Sequence, residues 1–244
     1  MRRWPMMLIL IALGGCATTL SDTRKASMRN VAVISAIGND VTLFRVLGDL
    51  ETPERLEWNF DRIATDVVVK SVRAQNPAVS IVPIEYDANA LAAAIHQIKP
   101  FESYSDPARI APALRQLTDG KSIDTIILIA RSDSSKGALL YFQGVGLQTE
   151  RTFLPRAPTT PYAALALFVI DGSTMRVLTK NTVLEKGRIY NVKPLIEFEP
   201  PGGPAPFLPG FNFPMTAEQK DFTRPLLEGL VLAATQELMR SSGF

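Results

Sequence analysis

Ile123-Asp124-Thr125-Ile126-Ile127-Leu128-Ile129-Ala130 carries four large aliphatic residues in succession, with no alternation of apolar and polar positions. A strand with one wetted face alternates at every second residue. A strand that does not alternate is buried on both faces, in the middle of a sheet covered by helices. The segments on either side should therefore supply neighbouring strands and the helices that cover them.

Towards the N-terminus, three stretches show helical spacing. Residues 106–118 place Ile110, Leu114 and Leu117 on one face, with Pro112 near the start; residues 87–98 align Leu91, Ala94, Ile95 and Ile98. Residues 59–75 align Phe60, Ile63, Ala64, Val67, Ser71 and Val72 behind an Asn59 N-cap. A strand is expected at residues 80–86. Two Val- and Ile-rich runs, 31–37 and 41–47, flank Gly38-Asn39-Asp40, which predicts a hairpin. Towards the C-terminus, strands are expected at residues 139–148, 163–170 and 175–184. Gly144 and Gly146 inside the first predict a bulge or a close backbone approach, and Asp171-Gly172 predicts a hairpin. Thr216 with Gln219 forms a capping-box pattern ahead of a long amphipathic helix through Phe222, Leu226, Leu230, Val231, Ala234 and Leu238, kinked or divided at Pro225. The class that follows is α/β (α+β mixed). It is a single domain over residues 30–244, with a mixed, largely antiparallel sheet of about six to seven strands and helices packed on it.

The first residues have a different character. Arg2 and Arg3 precede an apolar run that ends in Leu13-Gly14-Gly15-Cys16. This is a charged region, a hydrophobic region and a small-residue cleavage site, too short for a spanning helix of about 20 apolar residues. Leu13, Gly14, Gly15 and Cys16 resemble the bacterial lipobox. The resemblance implies cleavage after Gly15, a diacylglyceryl thioether and an added acyl group on Cys16, and attachment to a membrane through those chains. Several buried acyl chains hold stably where one does not. Ala17, where an Asp would mark retention at the inner membrane, implies the outer membrane, with the domain facing the periplasm. The expected organisation is thus a signal peptide over 1–15, a lipidated N-terminus and polar tether over 16–29, and the domain beyond. The order of helices and strands also resembles, in topology alone, the α/β modules of periplasmic assembly lipoproteins such as the curli secretion and Tol-associated groups. Fold likeness of that kind does not carry function.

Composition excludes several chemistries. Removing Arg2 and Arg3 from the 26 basic residues leaves a chain balanced against 24 acidic ones, which is not the basic footprint of a nucleic-acid binder. No nucleic-acid partner is expected. The one cysteine, once acylated, offers no thiol for a disulfide or a metal, and the one histidine cannot build a zinc site alone. A Ser-His-Asp triad would have to use His96, which lies off the Leu91, Ile95, Ile98 stripe and reads as a partly exposed surface residue. Asp133 and Asp171 sit in turns, where Asp bonds its own backbone. The segment from Ser132 to Gly137 reads as a hairpin loop, and Gly144 with Gly146 does not complete a dinucleotide fingerprint. No catalytic residue, no metal and no cofactor is assigned.

One feature of the domain is unusual. Residues 199–214 read Glu-Pro-Pro-Gly-Gly-Pro-Ala-Pro-Phe-Leu-Pro-Gly-Phe-Asn-Phe-Pro, a loop that sets Phe207, Phe211 and Phe213 among prolines. Such a segment loses little entropy on binding, so the three rings are the candidate partner-binding residues; folding back over a sheet edge is the competing use of them. The expected role is a non-catalytic binding or assembly component of the cell envelope, anchored by its lipid and meeting an envelope protein. An envelope hydrolase working with paired carboxylates, or a small-ligand sensor, is the alternative.

Overall fold

The computed structural model describes residues 19–45, 54–99, 102–105, 107–132, 144–149, 159–183 and 214–244. Its centre is β7 (Thr125–Arg131), in which Ile126, Ile127, Leu128, Ile129 and Ala130 have no exposed surface. On one side β1 (Asn30–Ala36) runs parallel to it, Val31 opposite Thr125 and Ala36 opposite Ala130. On the other, β9 (Thr159–Asp171) runs antiparallel, from Thr125 opposite Asp171 to Arg131 opposite Leu165. The non-alternating run is the interior strand that its sequence predicts.

Among the described residues, the main sheet around this core has eight strands. β4 (Ser80–Ile81) pairs in parallel with β1, and β10 (Val177–Thr182) pairs antiparallel with β9. β8 (Gly144–Thr149) takes up the length of β9 beyond β7, from Ala164 back to Thr159. β2 (Asp40–Arg45) lies parallel to β8, and β3 (Glu54–Arg55) closes that edge, giving the order β3-β2-β8-β9-β7-β1-β4. β5 (His96–Lys99) and β6 (Glu102–Ser105) form a separate hairpin. The sheet is mixed, and helices cover it.

The side chains of β7 alternate between two cores. Ile127 and Ile129, with Val31, Val33 and Val169, pack under α2 (Phe60–Gln75) and α5 (Ala217–Ser241), where Ala64, Val68, Leu227 and Val231 are buried. Ile126 and Leu128, with Ala32, Ile34 and Phe168, pack under α3 (Ala88–Ile95) and α4 (Pro107–Thr118) through Leu91, Ile95, Ile110 and Leu114. Fully burying each of the valine, leucine, isoleucine and phenylalanine side chains is worth about 1.5–3 kcal/mol.

Several expectations are corrected. The runs at 31–37 and 41–47 do not form a hairpin; β1 lies along β7 and β2 along β8. A tight type I′ turn needs two left-handed residues, whereas here Gly38 alone has positive φ, at 68°. The chain bends without reversing. The strand expected over 80–86 shrinks to two residues: its last bond to β1 is from the Val82 N–H to the Val31 carbonyl at 2.9 Å, and the Ser35 N–H further along β1 goes to the Tyr86 hydroxyl. The helix expected to reach residue 98 stops at Ile95, and its buried face uses Ala92 where Ala94 was expected. Pro225 does not divide α5, which has one continuous span with the Thr216–Gln219 capping box complete. Phe222, expected in the core, is 42% exposed, and Leu227 is buried below it.

The tether also differs from its expected form. Residues 22–27 form α1 (Asp22–Ser27), capped by the Ser21 side chain, and the flanking Leu20 and Met28 are buried. Arg24 pairs with Asp171 at 2.9 Å, and Lys25 Nζ donates to the Gly243 carbonyl at 2.7 Å. No hydrophobic period announces this docking, because only the two residues outside the helix are apolar anchors.

Gly146 is a close approach, as its place in the sequence predicts. A Cβ there would lie 2.2 Å from the Thr42 carbonyl oxygen and 2.6 Å from the Tyr162 hydroxyl. Gly146→Ala is expected to destabilise the fold by roughly 1–3 kcal/mol, seen as a lower urea midpoint at unchanged slope. An unchanged midpoint would show that β2 and β8 separate easily.

Candidate functional site

After β1 the chain forms β2 and β3 at the other end of the sheet, passes through α2 on one face to reach β4, then returns through α3 and α4 on the other face to β7. With the order β7-β1-β4, β1 lies between two strands that are reached through helices on opposite faces. In sheets with parallel strands, ligands bind beyond the carboxyl ends at such a point. The carboxyl end of β1 is therefore the first place to look for chemistry, and a polar cluster sits there.

Its hub is Asp61, in the first turn of α2, where the helix dipole favours a carboxylate. Asp61 accepts hydrogen bonds from Ser35 Oγ at 2.6 Å, from the Ile37 N–H at 3.0 Å and from the Gly38 N–H at 3.1 Å. Two further side chains secure the same bend. The Tyr86 hydroxyl accepts from the Ser35 N–H at 2.7 Å, and Asn89 Oδ1 accepts from the Asn39 N–H at 2.8 Å. Asn89 is set in place by α3, whose N-cap Asp87 accepts from the Asn89 and Ala90 N–H groups. From β7, Arg131 Nε donates to the Ile37 carbonyl, and its Nη2 lies 3.7 Å from Asp40. Asp40 also meets Arg55 at 3.2 Å. Gly144 leaves the room that Arg131 needs, since a Cβ there would stand 2.9 Å from Arg131 Cδ.

Burial dominates the electrostatics. It raises the pKa of Asp61, against the bonds from Ser35, Gly38 and Ile37 and the charge of Arg131. It raises that of Tyr86, and the charge of Asp61 also acts upward while the Ser35 bond opposes. It lowers that of Arg131, with Asp40 and Asp61 opposing. His96, expected to be partly exposed, caps the C-terminus of α3 in a half-buried position, and its pKa is pushed down to about 4 by burial first and by Arg131 second. The imidazole is neutral at pH 7.

Chemically, this cluster is a clamp. Asp61 directs its lone pairs at backbone donors and one hydroxyl, and both carboxylates face a single guanidinium, which pairs charges instead of separating an acid from a base. Among the described residues, no group of three His, Cys, Asp or Glu side chains is placed to hold a metal. Asp171 is the turn residue that its sequence position predicts: it accepts from the Ser173 hydroxyl at 2.6 Å and from the Thr174 N–H at 2.9 Å, which hold its pKa far below the usual carboxylate range.

None of the clamp residues was legible as a site, because they come from five separate stretches of chain with no shared spacing. The residues that the sequence did single out, Gly15, Cys16, Phe207, Phe211 and Phe213, lie outside the described residues, as do Asp133 and most of the Ser132–Gly137 loop. The flanks of the aromatic segment are described. Val183 donates its N–H to the Leu165 carbonyl at 3.1 Å, and the Met215 N–H donates to Glu54 Oε2 at 2.8 Å. Among the described residues, no helix is long and apolar enough to cross a membrane.

No protein-family model matches the chain, and no curated protein matches it. Two solved structures are distantly similar. The LpoB C-terminal domain from Salmonella enterica is 11% identical, with a TM-score of 0.22, over 63% of this chain and 79% of that one. The hypothetical protein CT253 from Chlamydia trachomatis is 12% identical, with a TM-score of 0.32, over 88% of this chain and 94% of that one. Likenesses this distant carry no argument about function.

Proposed function

We propose that this chain is a lipid-anchored lipoprotein of a bacterial envelope, attached to the outer membrane, facing the periplasm, and acting without catalysis as a binding or assembly component. One observation carries the reading: Leu13-Gly14-Gly15-Cys16 stands directly after a charged and then apolar lead. The clamp at the end of β1 agrees with it, since its polar groups are engaged in holding the backbone. Partner contact is assigned to Phe207, Phe211 and Phe213, which lie in sequence between β10 and α5.

Intact-mass analysis of the membrane-extracted protein is expected to find a mature N-terminus at Cys16 carrying diacylglyceryl and acyl groups. Cys16→Ala is expected to move the protein to the soluble fraction. A mature N-terminus elsewhere would overturn the anchor. For partner contact, the Phe207→Ala, Phe211→Ala, Phe213→Ala triple variant is expected to lose a partner that crosslinks to the wild type; identical crosslinking would remove those rings from the interface.

A further inference from the structure

Leu20 is held at one identifiable corner of the folded body. The Leu20 N–H donates to the Ser242 carbonyl at 3.2 Å, and Lys25 Nζ to that of Gly243 at 2.7 Å. Arg24 reaches Asp171 and the Asp124 carbonyl, and the Asn76 side chain donates to the carbonyls of Lys25 and Met28 at 3.4 and 3.0 Å. The ends of α2 and α5 and the turn after β9 thus all hold α1 in place. An extended chain covers at most about 3.6 Å per residue, so from Cys16 to Leu20 it spans no more than roughly 14 Å. Were residues 16–29 a free tether, the same arithmetic would allow roughly 45 Å.

The geometry points to a domain held directly against the bilayer, with the corner formed by α1, Gly243 and Phe244 as its lipid-facing surface and the first turn of α5 as its remote end. This rests on lipidation of Cys16. The outer face of α5 argues for the upright attitude. It carries the Arg224–Glu228 and Glu237–Arg240 ion pairs, and its exposed large apolar residues, Phe222 and Leu232, stand apart. A helix lying on a membrane needs a continuous apolar face to insert. Glu218, in the first turn of α5, stands roughly 36 Å along the helix from Ser242 at ~1.5 Å per residue.

The test uses the full lipidated chain in phosphatidylcholine vesicles containing a headgroup-labelled acceptor lipid. Acylation consumes the thiol of Cys16, so Gln236→Cys and Glu218→Cys, both at exposed positions, can each be labelled singly with a donor. Energy transfer is expected to be several-fold higher from position 236 than from position 218. Arg24→Glu with Lys25→Glu, which opposes the contacts of α1, is expected to lower transfer from position 236 at least twofold. A ten-residue Gly/Ser insertion between Thr18 and Thr19, which leaves those contacts intact, is expected to do the same. Equal transfer from both positions, on protein that floats with the vesicles and carries its lipid by mass, would overturn the orientation and leave the anchor standing. So would an insertion that changes nothing. Protein that neither floats nor carries lipid would overturn the anchor, and the orientation with it.

Discussion

Asp61→Ala is expected to cost about 3 kcal/mol of folding stability, and Asp61→Asn roughly half of that, read from urea midpoints at pH 7. The substitution removes the acceptor for the Ser35 hydroxyl and for the Ile37 and Gly38 N–H groups, and takes one of two carboxylates from a buried guanidinium. Hydrogen bonds to a charged group are worth about 1.5–3 kcal/mol each, and a buried donor left without its acceptor costs its full desolvation. The alanine also relieves the burial of the carboxylate, the first cause of the raised pKa of Asp61, so the expected loss is well below the sum of the bonds. Asn retains an acceptor for the backbone groups, which is why it should be milder. A loss under ~1 kcal/mol for the alanine variant would show that the bend between β1 and β2 is held by strand pairing alone.

The second large effect is on acid stability. His96 has its pKa lowered from 6.5 to about 4 in the folded state. A depressed folded pKa means that the unfolded chain binds the proton more readily. Stability is therefore fully present above pH 6.5 and is lost as pH falls towards 4. That gap corresponds to about 3 kcal/mol. Asp61 acts in the opposite sense: its raised pKa makes the folded state the better proton acceptor, so its contribution is greatest below 3.8 and declines as pH rises through its folded value. Comparison of wild type with His96→Gln isolates the histidine. The variant is expected to lose about 3 kcal/mol less than wild type between pH 7 and pH 4 in urea titrations. Parallel losses would show that His96 is not the group that resists protonation.

How much of this was legible depends on whether the signal was local. The aliphatic run of β7, the Asp171-Gly172 turn and the Thr216–Gln219 capping box each lie within a few residues, and each forms as its residues predict. Gly38-Asn39-Asp40 is equally local and misled, because the same residues serve a reversal or a bend. What decides between them is Asp61, Tyr86, Asn89 and Arg131, all distant in sequence. His96 is partly exposed, as its place off the apolar stripe of α3 predicts, but its position at the end of that helix near the charge of Arg131 left no mark in the sequence. The docking of α1 was invisible because polar groups, Arg24, Lys25 and Asn76, make most of its contacts. Pairings between polar residues far apart in the chain leave no period to read.

The bond between Leu20 and Ser242 has a mechanical consequence. A pull on the chain ahead of Thr19 does not reach the first residue of β1 directly. It meets first the hydrogen bond of Leu20 to the end of α5, then the Arg24–Asp171 pair at the turn after β9 and the bond of Lys25 to Gly243. Tension is thereby divided between a helix that is packed against α2 and β9 along its length and a strand paired on both sides, and β1 is shielded from being peeled out of the sheet. Under traction the molecule should yield at α1 before it yields in its core, as a short extension that precedes unfolding.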